Sequence, residues 1–229
     1  MEFDSTKEIV KLPLFPLNTV LFPGAILPLH IFEDRYKQMI RYAVDSGGMF
    51  GLSYSGEAAV DRETLPELGS VGCVARINTV VPLEEGRMNL LSTGLIRFRV
   101  RGLEQTQPFI IASVETFTDD LEAGAELNHL FDDLVDLCAR FVETAQALDE
   151  LNVPESLEFP DDPEAFSLII SSLLPITNDA RQSLLEMTST RSRLMRIKHF
   201  LSLSLPGFEE RLRIREMAKQ NGHGRLHSK

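Results

Sequence analysis

Motifs that could do chemistry are few in this chain, and each lacks part of the pattern that its reaction needs. Residues 51–56 read GLSYSG, close to the G-x-S-x-G turn that exposes a serine nucleophile, but the second glycine stands one position too far from Ser53. A strand that runs into a turn is the favoured interpretation. The chain has no Ser-x-x-Lys, no Gly-Lys dipeptide and no G-x-G-x-x-G. The sequence therefore predicts a protein that is not an enzyme and that uses neither ATP nor NAD.

Histidines and cysteines offer little support for a metal centre. No H-E-x-x-H occurs; His223 and His227 are four apart, but the neighbouring glycines weaken the helix that would pair them. His30 ends a predicted strand beside Glu33 and is expected to make a capping or core hydrogen bond rather than to act in catalysis. Cys73 and Cys138 are too few for a disulfide framework or a zinc site without histidine, which predicts two buried thiols in a reducing compartment. We expect no metal, no cofactor and a cytoplasmic location.

The clearest alternation in the chain places three arginines on one side of a strand and three apolar residues on the other: Arg97, Arg99 and Arg101 against Ile96, Phe98 and Val100. The arginines could bind an acidic peptide or a phosphate backbone. The favoured alternative is a solvated outer face of a sheet, paired with nearby acids.

The elements that must position these residues change character near Thr118. Before it, short apolar runs alternate with Gly and Pro, which indicates strands, and one helix runs from residue 32 until Gly47-Gly48. The predicted strands cover 9–15, 25–31, 49–54, 71–81, 87–93, 96–101 and 109–114. Many short strands with tight turns and one helix favour a small barrel or sandwich, and helices follow, so the class is α+β.

The second half has a helical period. Seven apolar residues alternate steps of four and three from Leu127 to Leu148, an a/d stripe that predicts a bundle helix or, alternatively, a coiled-coil dimer. Further helices are predicted from Asp162 to before Pro175, over 179–187, from a cap at Ser189 to Pro206-Gly207, and over 208–220. The expected domains are 9–118 (β domain), 119–221 (α-helical bundle) and 222–229 (flexible tail), with 154–162 as a linker.

Charge and hydropathy exclude some classes of protein. Residues 12–32 lack charged side chains and are long enough to span a bilayer, but four prolines make a helix there untenable, so buried strands and no membrane partner are expected. The net charge of −11 disfavours a nucleic-acid-coating protein. It is uneven: −3 for residues 1–118, −14 for 119–164 and +6 for 165–229. This predicts that the acidic and basic helical segments pack together.

An ordered set of motifs resembles the Lon protease N-terminal, or substrate-binding, domain family. The motifs are LPLFPL (12–17), VLFPG (20–24), LPLHIFEDRY (27–36), VGCVARI (71–77), GRMNL (86–90), GLIRF (94–98), LLP (173–175) and RQSLLE (181–186). The resemblance implies a PUA-like, strongly bent β-barrel followed by a helical bundle. It also implies a non-enzymatic module that binds unfolded or exposed protein segments, here expected without ATPase and protease domains.

Such binding needs exposed apolar grooves or an open strand edge. The candidate residues are Phe15, Phe22, Pro23, Arg35, Arg76 and Arg97, although core burial is the favoured interpretation for Phe15 and Phe22. The expected partners are protein segments, with a protease or another adaptor as a further partner in protein quality control. The alternative is an RNA-binding PUA-like module. The chain is expected to be a monomer or weak dimer.

Overall fold

A computed structural model describes residues 9–56, 65–122, 124–151 and 158–223, with backbone alone for 220–223. Apart from α1, which lies between β2 and β3, strands come first and helices afterwards, which confirms the α+β class. The strands are β1 (Ile9–Leu17), β2 (Ile26–Ile31), β3 (Met49–Tyr54), β4 (Val71–Pro82), β5 (Met88–Gln105) and β6 (Ile110–Phe117). The helices are α1 (Asp34–Asp45), α2 (Ala125–Ala147), α3 (Pro163–Leu173), α4 (Asn178–Glu186) and α5 (Thr190–His223).

The sheet closes on itself. Its strand order is β2-β5-β4-β3-β1-β6, and β5 pairs with β6 as well, so five strands form a continuous ring. Strand β5 makes this possible because it is 18 residues long: its first half pairs with β2 and its second half with β6, while β4 runs beside both. All pairings are antiparallel except β1 with β3. The expected bent β-barrel is therefore present, and the two strands predicted over 87–101 are one.

Two apolar clusters cover the faces of this sheet. One contains Phe98 and Val100, with Ile96 packed against it, so the predicted apolar side of the alternation is correct. The other holds α1 against the sheet through Met39, Ile40 and other buried side chains. The uncharged segment 12–32 supplies most of β1 and all of β2, as expected. Among the described helices, none is long and apolar enough to cross a membrane.

The chain divides into two compact units whose boundaries differ from the expected domains. The first unit comprises residues up to Asp120 together with Ser171–Thr188, and the second comprises Leu121–Ile170 with Ser189 onward. The first boundary lies close to the predicted one. Helix α4, however, groups with the barrel, which differs from the predicted single bundle over 119–221. The side chains of α4 that reach barrel strands explain why: Gln182 Nε2 donates to Val71 O (3.0 Å) and Tyr54 Oη donates to Asp179 Oδ1 (2.7 Å).

In the second unit, α2 packs on α5. The predicted stripe is mostly buried within the chain, and Phe141 of α2 meets Phe208 of α5 edge to face at 5.5 Å. Ion pairs join the acidic segment to the basic one, which confirms that these segments pack together. The pairs are Arg140–Glu209, Lys198–Asp133, Arg211–Glu150, Arg215–Asp149 and Arg191–Glu126.

Helix α5 runs through Pro206, so the predicted break at Pro206-Gly207 is wrong. A proline removes one helical hydrogen bond, but Leu205 and Phe208 on either side of Pro206 are buried in the second unit, and their packing keeps the chain helical.

Gly222 and His223 belong to α5 rather than to the expected tail. Residues 224–229, with His227, and residues 154–157 of the predicted linker lie outside the described residues. Among the described side chains, no group of three or more potential ligands is placed for a metal.

Candidate functional site

Arg97, expected at a binding rim, is 1% exposed, so its expected placement at the surface is wrong. Its Nη2 lies 2.5 Å from Asp119 Oδ1, and its Nη1 donates to the main-chain oxygens of Leu185 (3.2 Å) and Met187 (2.6 Å). The alternation predicted the face of β5 correctly, but the end of α4 and the residue after it cover Arg97 on that face. The role of Arg97 is therefore to hold this segment on the barrel.

The other two arginines of the alternation do not form an open basic surface either. The guanidinium carbon of Arg99 lies 4.5 Å from the centre of the Phe117 ring, and Arg101 pairs with Glu115 on the neighbouring strand. With Arg97 buried, the three arginines that suggested RNA binding all make contacts within the chain.

Phe15 and Phe22 are buried, as the favoured interpretation expected. Phe15 packs against Tyr36 of α1, with ring centres 4.1 Å apart. Pro23 is half-buried in the turn between β1 and β2. Arg35 is half-buried on α1, where it pairs with Glu33 (3.2 Å) and lies over the Tyr36 ring (4.4 Å). These four residues mainly hold α1 and the β1–β2 connection.

Arg76 is exposed, and it lies on a surface that the sequence did not reveal. In antiparallel strands, directly paired residues project to the same side. Three rows of such pairs cross β2, β5 and β4 and form what we term the open face: Ile26–Thr93–Arg76, Pro28–Leu91–Thr79 and His30–Asn89–Val81. The sequence signal that could have found it is the alternation of β5 from Met88 to Ser92, which places Asn89 and Leu91 opposite the core.

The open face is apolar at its centre and polar at its margins. Ile26, Leu91 and Val81 are 62%, 41% and 49% exposed, which is high for large aliphatic side chains. At one margin, His30 Nδ1 and Asn89 Oδ1 form a hydrogen bond (2.7 Å) between exposed side chains on paired strands, which is neither the capping nor the core hydrogen bond expected of His30. Phe32, also exposed, stacks on His30 with ring centres 6.0 Å apart. An apolar surface with a polar border is typical of a surface that binds another chain.

A free strand edge adjoins the open face. The pairing of β4 with β3 ends at Arg76, and from Thr79 to Pro82 the described pairings of β4 are with β5 alone. Leu83 N–H donates to Arg87 O (2.8 Å), and bonded pairs alternate along an antiparallel ladder. Val81 and Thr79 therefore direct their main-chain groups to β5, whereas Val80 directs its groups to the free edge.

The remaining reactive side chains are inert in this setting. Ser53 is buried within β3, where it pairs with Gly72 of β4, so the strand interpretation of residues 51–56 is correct as far as Tyr54, where β3 ends. Burial raises the pKa of Cys73 to about 12, and it raises the pKa of Cys138 to about 12 as well. Both thiols stay neutral near pH 7.

The model of the ATP-dependent protease La (LON) substrate-binding domain matches residues 11–202, most of the chain. The chain belongs to the LON substrate-binding domain family. Similar proteins include the Lon protease of Desulforamulus reducens, 26% identical over 91% of this chain and 26% of that protein, and Lon protease 2 of Myxococcus xanthus, 27% identical over 83% and 23%. The chain thus spans about a quarter of the length of these relatives.

Two solved structures share the fold of this LON substrate-binding domain. The crystal structure of a Lon N-terminal domain protein from Xanthomonas campestris has a TM-score of 0.59 and 25% identity, covering 83% of this chain and 98% of that one. The N-terminal domain of a Mycobacterium avium complex Lon protease has a TM-score of 0.64 and 20% identity, covering 84% and 98%. The part of a Lon protease that matches is therefore the substrate-binding part.

Proposed function

We propose that this domain binds unfolded or extended segments of other proteins, and that it contributes recognition rather than catalysis. The observation that carries the proposal is the apolar open face beside the free edge of β4, in a chain of the LON substrate-binding family. An unfolded segment exposes what such a surface needs, namely unpaired backbone groups and apolar side chains.

The two surfaces would act together. An extended segment adds to β4 by hydrogen bonding to the main-chain groups of Val80, and Pro82 restricts how far the added strand can continue because proline has no N–H. Side chains of the bound segment then reach Val81 and Leu91 on the open face. Backbone bonding supplies affinity without sequence preference, whereas the apolar face favours segments that are buried in folded proteins.

Of the residues first considered for binding, Arg76 fits this surface best because it lies in the row of Ile26. Its guanidinium can bind carboxylates or main-chain oxygens of the bound segment. Phe15, Phe22 and Arg97 contribute through the fold, whereas Pro23 and Arg35 stand near the apolar clusters rather than on the open face.

We also propose an adaptor role in cytoplasmic protein quality control, in which the domain presents bound segments to a protease or to another adaptor. The support is the family, whose larger members named Lon protease contain this part within a longer chain.

A binding assay with a permanently unfolded polypeptide tests the recognition role. A reduced and carboxymethylated protein should bind in fluorescence anisotropy, whereas its native, disulfide-bonded form should not. Ile26→Ser and Leu91→Ser should each weaken binding at least about fivefold, since each removes roughly 1–2 kcal/mol of apolar contact.

Leu203→Ser is the matched control, because Leu203 is 72% exposed on α5 and lies outside the open face. It should leave the affinity unchanged. Equal binding of native and unfolded forms, or equal loss of affinity in all three variants, would contradict the proposal.

A further inference from the structure

The free edge of β4 is closed at one end. Strand β3 begins there: Met49 pairs with Arg76, and Gly48 O accepts a hydrogen bond from Ile77 N–H (2.8 Å). A strand that adds beside Val80 cannot continue past Arg76, because the start of β3 occupies the same edge. The added polypeptide must therefore end at this point or turn away from the sheet.

The closed end leaves room for a short stretch of added strand. Four positions separate Val80 from Arg76, roughly 13 Å along an extended strand. A register shift between Ile77 and Thr79 marks a bulge, a feature that often terminates pairing. The added strand therefore extends about two residues beyond the one that hydrogen-bonds to Val80. A polypeptide that ends here brings its terminal group within reach of the Arg76 side chain.

The closed end offers hydrogen-bond donors and positive charge. Arg76 is exposed, and among the described residues no carboxylate lies within ion-pairing distance of it. Its row on the open face also contains Thr93, whose Oγ1 accepts a hydrogen bond from Asn78 Nδ2 (3.1 Å) and keeps its own hydrogen for another acceptor. The three rows of the open face contain no aspartate or glutamate. This end of the edge therefore suits an anionic group.

The other end of the edge carries negative charge. Beyond Pro82, exposed Glu84 and Glu85 lie in the turn that leads to β5. Glu85 pairs with Arg87 at 3.8 Å, whereas no such pair of Glu84 is present among the described side chains. A segment whose negative terminus lies at Arg76 keeps that terminus away from these carboxylates. The charge along the edge thus selects one direction for the added strand.

We propose that the free edge of β4 receives the C-terminal end of a bound polypeptide, with the terminal carboxylate held by Arg76 and the Thr93 hydroxyl. The segment runs antiparallel to β4, as β3 and β5 do, and its third residue from the C-terminus hydrogen-bonds to Val80. Its second-last and fourth-last side chains then face the open face beside Thr79 and Val81. This inference rests on the proposed binding of extended segments and adds a preference for chain ends over internal segments.

Peptides that differ only at the C-terminus test this preference. Apolar peptides of eight residues carry a fluorophore at the N-terminus and end in a free carboxylate or in an amide, and binding is measured by fluorescence anisotropy. The free acid should bind at least about threefold more tightly, since charge-assisted hydrogen bonds are stronger than neutral ones. Arg76→Met and Thr93→Val should each reduce this ratio towards one, with thermal melts showing that both variants are folded.

Arg196→Met is the matched control, because it removes the same charge from an exposed position on α5. Any cationic side chain attracts a free acid weakly, and this variant measures that background. The ratio of the two affinities should stay as it is in the unaltered protein.

A second pair of peptides tests the closed end itself. Gly-Ser-Gly-Ser is added to the free acid either before its first residue or after its last one. The N-terminal extension should leave the affinity unchanged, since that end of the segment leaves the edge beyond Pro82. The C-terminal extension should weaken binding at least about threefold, because it moves the carboxylate away from Arg76.

Three results would overturn the C-terminal assignment and leave the proposed function standing. They are an acid-to-amide ratio near one in the unaltered protein, a ratio that survives Arg76→Met and Thr93→Val, and an equal effect of the two extensions. If neither the acid nor the amide binds, the proposed function fails and the C-terminal assignment fails with it.

Discussion

Arg97 and Asp119 form an ion pair with both side chains buried, at 1% and 2% exposure. The guanidinium also lies 4.6 Å above the Phe117 ring and donates to the carbonyls of Leu185 and Met187. One side chain thus joins β5, the residues just after β6 and the C-terminal end of α4. Removing one partner of a buried pair leaves an uncompensated charge, which costs far more than the pair itself contributes.

Asp119→Leu should therefore lower the free energy of unfolding by about 3–5 kcal/mol, measured by urea denaturation. The double variant Arg97→Met/Asp119→Leu should recover part of this loss, because the stranded charge is gone. Recovery should be incomplete, since the Leu185 and Met187 carbonyls lose their donor. An unchanged midpoint in Asp119→Leu would show that the pair is not buried in solution.

Gly94 should tolerate no side chain. A Cβ there would stand closer to the Phe22 carbonyl oxygen than non-bonded atoms can approach, and that neighbour is backbone, which cannot rotate away. Gly94→Ala should lower stability by about 1–3 kcal/mol or more, visible as a reduced Tm. Gly102→Ala, on the same strand with nothing within 4 Å of its Cβ, should leave the Tm almost unchanged. Equal Tm values for the two variants would contradict this packing.

Two neighbouring proline substitutions should separate binding from stability. Val80→Pro removes an N–H that faces the free edge, so it should abolish strand addition by an unfolded polypeptide and change stability by about 1 kcal/mol or less. Val81→Pro removes an N–H that faces β5 and leaves a ladder carbonyl without its donor, which should cost about 1–3 kcal/mol. Anisotropy and thermal melts distinguish these effects. Undiminished binding by Val80→Pro would exclude the edge of β4 as the docking strand.

Alkaline pH should destabilise the barrel through Cys73. Burial raises the pKa of this thiol from 9.0 to about 12, so the folded chain keeps a proton that the unfolded chain releases between those values. This contribution is fully present below about pH 9 and is lost as the pH rises towards 12. Cys73→Ala should show a shallower decline of Tm between pH 8 and 11 than the unaltered protein. Parallel declines would show that other groups account for the whole effect.

The sequence predicted well what depends on local pattern. Alternation placed Phe98 and Val100 in the barrel core, and the a/d stripe placed Phe141 in the second core. The sequence predicted poorly where residues far away in the chain determine burial. Arg97 is one example, because nothing near it in sequence shows that residues 185–187 return to cover it. Pro206 was expected to end a helix because proline does so in isolation, whereas packing of its neighbours overrides that preference.

The binding surface was harder to predict for the same reason. Arg76, Leu91 and Ile26 lie on three different strands, and only the register of β2, β5 and β4 brings them into one face. The free edge at Val80 depends on where β3 stops. Neither the open face nor the free edge can be predicted from the composition or the periodicity of a single segment.

The return of residues 171–188 to the barrel has a consequence for synthesis on the ribosome. When β6 has just left the ribosome, Asp119, the ion-pair partner of Arg97, is about to emerge. The Leu185 and Met187 carbonyls, which complete the hydrogen bonds of Arg97, are still about seventy residues from being made. The barrel is finished only after the first helices of the second unit have been translated. The order of translation and the order of completion therefore differ, and a chain interrupted between the two would expose a charged, half-built core.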